Sequence, residues 1–326
     1  MLRKLRLPVF LAVLLLASRS IFAQNTAELL GYPSTAKLLI LNADDFGMCH
    51  AENVATMDLL LNGNITSATA MPPTPWFKEA AQFAKDHPKL HIGVHSTFTS
   101  EWKVYKWGPV LGKSAVPSLV TPEGFFPDDT PWVESKADPA DIEKELRAQI
   151  EHARKLGLEP THLDNHMGSL YGLTTGRDFL DVVFKICAEY GLPFRLPRHL
   201  SQAYTKMLPA DRVQDIETRT QLLVQKGFVL PDYLVTVDHG KTYDETWKRY
   251  ASIFRALKPG VTELYMHVAV ESQEIKAVTK AWRNRVWDYR VFKDPRTKAL
   301  LDSLRIVLIS YKPLQELQRQ HMPPSH

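Results

Sequence analysis

From residue 37 onward, short apolar runs alternate with stretches whose apolar residues recur every three or four positions. The runs at 37–42, 65–71, 91–97, 161–164, 193–196, 233–236, 262–268 and 305–309 have strand length and no helical spacing. Between them, 51–61, 75–85, 139–156, 179–190, 212–225 and 243–257 read as amphipathic helices. Strands separated by helices pair in parallel, and a parallel sheet needs both faces covered. About eight such units predict an α/β fold, a single TIM-barrel-like (β/α) barrel with irregularities, over 37–315. A lead-in at 24–36 precedes it and a tail at 316–326 follows.

One connection breaks this rhythm. Residues 100–138 are rich in Pro, Gly and aromatics, among them Trp102, Trp107 and Trp132. A connection this long is functional or disordered, and its aromatic content argues for order. It is expected either to cover the site, with at least one of those indoles lining the pocket, or to pack as an excursion with its own small core.

Composition narrows the classes. Hydrophobic residues make up 44% of the 326, enough for a full core. The formal charge of +4 includes Arg3, Lys4 and Arg6, so the remainder is close to neutral and lacks the basic footprint of a nucleic-acid partner. Those cations precede an apolar stretch at 7–17 and a small residue at Ala23, the layout of a signal peptide over 1–23. Export to a periplasmic or extracellular space is the expectation, with no membrane contact after cleavage; an uncleaved anchor is the alternative. Two cysteines, Cys49 and Cys187, are too few for a disulfide scaffold, and they are expected to stay unpaired.

Candidate chemistry collects at strand ends, where barrels carry their active sites. The first run, LLILNADDFG, stops on Asp44 and Asp45, which regular strand geometry would aim in different directions. HIGVHST places His95 at the end of the third run. THLDNH spaces His162, Asp164 and His166 at a period of two, and TELYMH ends on His267. Carboxylate and imidazole ligands suit a divalent cation, and three of them leave an open position for catalysis. With Asp45, His95 and His166 as ligands, Asp44 is free to take a proton from water, and His267 to protonate a leaving group or stabilise an oxyanion. Arg195, ending the 193–196 run, either holds Asp44 ionised, contacts substrate or makes a structural ion pair.

NADDFG near the start, GVH after the third strand and THLDNH after the fourth resemble, in this order, the YdjC-like carbohydrate deacetylases. The resemblance implies removal of acetyl groups from N-acetylated sugars such as chitooligosaccharides, with one divalent metal (Zn or Mg; Mn or Co also fit). It implies metal ligation by Asp45, His95 and His166 and a base at Asp44. His162 and Asp164 then stand behind the ligands. This chain departs from the family pattern after His166, where it reads Met167-Gly168-Ser169, and after His267, where Val268 replaces the common Pro. Two competing readings remain: a metal-free glycoside hydrolase using Asp44 and Asp164, and a non-catalytic sugar-binding protein whose aromatic loop stacks on sugar rings.

Overall fold

The apolar run that opens the barrel becomes β1, Lys37–Phe46, and Leu38, Leu39, Ile40 and Leu41 are all fully buried. A strand covered on both faces needs such a continuous run. The computed structural model describes residues 24–201, 205–206 and 208–325; the expected signal peptide lies outside them. Around β1 stand β2 (Ser67–Ala70), β3 (Ile92–Ser96), β4 (Leu163–Asn165), β5 (Tyr233–Val235), β6 (Gly260–His267) and β7 (Val307–Leu308). All pairings are parallel, in the order β4-β3-β2-β1-β6-β5, with β7 on β1 beside Leu38 and Leu39. The helices His50–Leu61, Phe77–Asp86, Pro139–Lys155, Leu180–Tyr190, Ala210–Gln225 and Tyr243–Ala256 fall where helical spacing put them.

The result is a single-domain α/β fold, a curled parallel sheet of the (β/α) barrel kind, and its irregularity has a cause. Residues 193–196 were expected to form a strand and make only one bridge, Leu163 to Phe194. Pro193 and Pro197 bracket that run and remove two backbone donors. The segment still spans the gap between the sheet's edges. Leu163 donates to the Pro193 carbonyl and Arg195 to that of Leu163, while Arg198 and His199 donate to Pro231 and Asp232 just before β5.

Strand periodicity then layers the interior. On β1, Leu38, Ile40, Asn42 and Asp44 share one face; in register on β6 stand Val261, Glu263, Tyr265 and His267. The lower layer is apolar, joined by Ile309, Tyr311 and Leu314. The upper layers are polar and lead to the site. Gly93 in β3 leaves room for His162: an added Cβ would lie 2.6 Å from both its ring and its carbonyl oxygen.

Two boundaries shift. The helix Lys312–His321, with Leu314, Gln315 and Gln318 buried, runs through the expected start of the tail at 316. The lead-in is part of the core, since Thr26 and Ala27 are fully buried. Cys49 and Cys187 are both free and buried. Among the described residues, no helix is long and apolar enough to cross a membrane.

Candidate functional site

Asp44 and Asp45 reach the same cavity because β1 stops being a regular strand between them. Asp45 adopts a left-handed backbone, φ 64°, and the β1–β2 register shifts between Ala43 and Phe46. Without that kink Asp45 would face outward with Ala43. His95 arrives from the end of β3, opposite Asp164 on β4. His166 lies in a short 3₁₀ turn directly after β4. Asp44, Asp45, His95, His166, Arg195 and His267 all line one cavity of about 420 Å³.

Asp45 Oδ1 lies 3.3 Å from His95 Nε2 and 3.2 Å from His166 Nδ1. These three donor atoms form a buried group able to hold a metal ion. The fit rests on two features. Asp45 Oδ1 is buried yet has no partner with hydrogen-bond geometry, and separations of ~3.3 Å suit two ligand atoms at ~2.0–2.1 Å from one tetrahedral cation. The far nitrogen of each imidazole rests on a carboxylate. His95 Nδ1 meets Asp164 at 2.6 Å, and His166 Nε2 meets Glu101 at 3.0 Å. Such carboxylates fix the tautomer and aim the ligating nitrogen.

The two aspartates sit in different electrostatic settings. Burial would raise the Asp44 carboxyl, but the Arg195 guanidinium and His95 outweigh it and hold it at about 2. Arg195 grips both Asp44 oxygens, at 2.7 and 2.6 Å, while Asn42 donates to Oδ1 at 2.9 Å. Asp45 is also held well below the usual range, against its burial, chiefly by Arg285, whose Nη1 is 2.8 Å from Oδ2. Against the pull of burial, Asp164 and Asp44 raise His95 to about 10, and Glu101 and Asp45 raise His166 to about 9. This surplus of negative charge around two imidazoles is also what attracts a divalent cation. His267 moves the other way, lowered by burial, with its Nε2 at 3.9 Å from Asp45 Oδ2.

Several expected residues do not line the cavity. His162 stacks on Tyr311 at 3.8 Å, fully buried beneath the site and away from the cavity wall. None of Trp102, Trp107 and Trp132 lines the cavity, which corrects the expectation of an indole above Asp45. Trp107 is buried, donates to the Thr99 carbonyl and meets the back of His166 edge-on at 6.3 Å. Trp102 packs on Trp107, and Lys136 lies over Trp132. With Phe126, Val116 and Leu119 also buried, the 100–138 segment has the small core given as its alternative. Its contributions to the site are Glu101 and the Trp102 ring, which lies 5.9 Å from the Arg285 guanidinium.

Sequence reading missed Glu101, Glu52, Arg285 and Glu263. Arg285, on the helix Trp282–Lys293, bridges Asp45 to Glu52 on the helix His50–Leu61. Glu263 pairs with Arg195 Nε at 2.8 Å and accepts from the Tyr311 hydroxyl. A signal for Glu263 existed: in TELYMH it shares a period of two with His267. Glu52 and Arg285 sit in ordinary helical stretches, where a charge reads as solvated.

A carbohydrate deacetylase of Geobacillus stearothermophilus is 30% identical over 279 residues, covering 85% of this chain and 98% of its own. A chitooligosaccharide deacetylase of Yersinia pestis (strain Pestoides F) is 32% identical over 209 residues, 62% of this chain and 76% of its own. The crystal structure of a proposed cellobiose-phosphate cleavage protein from Enterococcus faecalis V583 superposes with a TM-score of 0.67 at 26% identity, covering 86% of this chain and 99% of that one. The YdjC-like protein family model matches residues 38–303, which run from the second residue of β1 through β6 and include Asp44, Asp45, His95, Glu101, His166, Arg195, His267 and Arg285, and the chain belongs to that family.

Proposed function

We propose that this protein is a metal-dependent hydrolase that removes an acyl group, acetyl in its simplest form, from the nitrogen of an amino sugar. The observation that carries this reading is the convergence of Asp45, His95 and His166 beside an ionised Asp44 that is held by other bonds. The deacetylases among its relatives supply the substrate class. Two imidazoles and one carboxylate suit zinc best among the candidate cations. When bound, such a cation supplies a Lewis acid that polarises the amide carbonyl and acidifies a water.

The chain's own groups do the rest. Asp44 takes the proton from the attacking water. Its low pKa keeps it ionised throughout the neutral range and makes it a weak base, sufficient only for a water that has been acidified. Arg195 orients the carboxylate edge through its two bonds, and Glu263 and Asp164 fix Arg195 in turn. His267 stays neutral at neutral pH, so it offers an N–H to the developing oxyanion rather than a proton to the leaving group. Asp44, protonated after the attack, returns that proton to the amine.

The glycosidase reading needs a second free carboxyl facing substrate, and the other cavity carboxylates, Asp45 and Glu101, are taken up by His95, His166 and Arg285. Asp164 is fully buried, bonded to His95, Thr69 and Arg195, and absent from the cavity wall. The test is acetate release from N-acetylglucosamine oligomers. Chelation should abolish it and added zinc should restore it; release that survives in demonstrably metal-free protein would overturn the metal assignment.

Export belongs to the same proposal, supported by the charge and apolar pattern of residues 1–23. Amino-terminal sequencing of the protein from extracytoplasmic fractions should begin near Gln24. A start at Met1 in those fractions would favour the uncleaved anchor, and recovery of the protein only from the cytoplasm would remove the export reading.

A further inference from the structure

The cavity that holds the aspartates and histidines continues into a largely aliphatic wall. Leu180, Leu196, Ile216 and Leu234 line it, and Met167 and Leu173 form part of its margin. Met167 and Leu173 remain 46% and 40% exposed. Met167 is held there by a left-handed backbone, φ 54°, which side chains other than glycine rarely adopt. An exposed apolar margin on a conformationally costly turn, continuous with a reactive centre, marks a binding surface. Aliphatic side chains neither donate nor accept hydrogen bonds, so a bare oligosaccharide lying against them would lose hydration of its hydroxyls without replacement. Two tyrosines, Tyr171 and Tyr265, also line the cavity, but Arg195 lies over the Tyr265 ring and Tyr171 packs on Phe194, and no indole is among the described lining residues.

We propose that the substrate is amphiphilic: an N-acylated amino sugar that carries an aliphatic chain, which lies against Leu180, Leu196, Ile216 and Leu234 while its amide meets Asp44 and the Asp45–His95–His166 group. The chain is either the acyl group itself or an alkyl group on the sugar's anomeric oxygen. In both cases the chemistry recognised is the same, a saturated hydrocarbon several carbons long beside a hydrolysable amide. This rests on the N-deacylase reading above and extends it to the substrate's apolar part.

The test uses zinc-loaded protein and two matched pairs below their micellar concentrations. One pair is N-acetyl- and N-octanoylglucosamine; the other is the methyl and octyl glycosides of N-acetylglucosamine. The octyl member of one pair should exceed its short partner in kcat/KM by about tenfold or more, since each methylene placed in an apolar pocket adds severalfold. The responding pair identifies which side of the amide carries the chain. Leu234→Asn should bring that ratio below about threefold. If N-acetyl substrates turn over and both ratios stay near one, the amphiphile inference falls and the deacetylase reading stands. If no substrate turns over, the deacetylase reading falls, and calorimetric titration decides the inference separately. In either pair, the long-chain member binding about tenfold tighter than its short partner, with the gap closed by Leu234→Asn, supports the chain site; equal binding within both pairs overturns it.

Discussion

Arg195 touches Asp44, Asp164 and Glu263, three buried carboxylates around one guanidinium. Asp44 receives two of its bonds and Asp164 shares the His95 imidazole, so Glu263 is the least compensated. Burial pushes it up to about 7 in spite of Arg195. The sign of the pH effect follows. Folded Glu263 keeps its proton to higher pH than the unfolded chain, so its contribution is complete below about pH 4.5 and is lost as the pH rises through 7. Glu263→Gln should remove a fall in stability on the order of 3 kcal/mol between pH 5 and 8. Urea midpoints for both proteins across that range measure it, and parallel curves would show that Glu263 does not titrate there. Asp44 tests the division of labour between the adjacent carboxylates. Asp44→Asn should retain its metal and lose ~100-fold to ~10,000-fold in kcat. Metal analysis showing an empty Asn variant would make Asp44 a ligand and reverse the assignment.

The elements differ in how they deliver these groups. β3 and β6 do so by strand periodicity, with Gly93 and His95 on one face and Glu263, Tyr265 and His267 on the other strand's matching face. β1 needs a kink at Asp45, and β4 hands over to a 3₁₀ turn to place His166. The 100–138 segment delivers a single carboxylate, Glu101, while Trp107 closes the back of His166. That division predicts an unequal response to substitution. Glu101→Gln keeps the shape but weakens the support of His166, and should raise the metal dissociation constant by ~10-fold to ~100-fold with little change in thermal midpoint. Metal titration monitored by activity and by calorimetry checks this. An unchanged dissociation constant would make Glu101 a surface partner of His166 with no bearing on the site.

At the scale of the whole molecule, Asp232 ties the chain's beginning to its closing strands. Its carboxylate accepts from the Thr26 and Val261 backbone N–H groups, at 2.9 and 2.7 Å, and from Arg198 at 3.3 Å. A chain shortened to begin at Tyr32 strips the Thr26 bonds from a buried carboxylate and should lose about 2–4 kcal/mol of stability. Denaturation of the shortened and full chains measures this, and equal midpoints would make the lead-in dispensable. The order of strands and helices, the strand-end positions of Asp44, Asp45, His95, Asp164, His166 and His267, and the family were all legible in the sequence, because strand and helix periods and contiguous motifs are local properties. What the tertiary structure decided is what local patterns cannot encode. The kink that turns Asp45 inward and the placement of Arg285, Glu52 and Glu101 depend on partners distant along the chain. The same holds for the indoles. Their number predicted an ordered segment, but whether an aromatic side chain faces a cavity or a core is settled by which surface is left uncovered when the elements pack. Here that surface is a largely aliphatic wall, with Tyr171 and Tyr265 as its aromatic members.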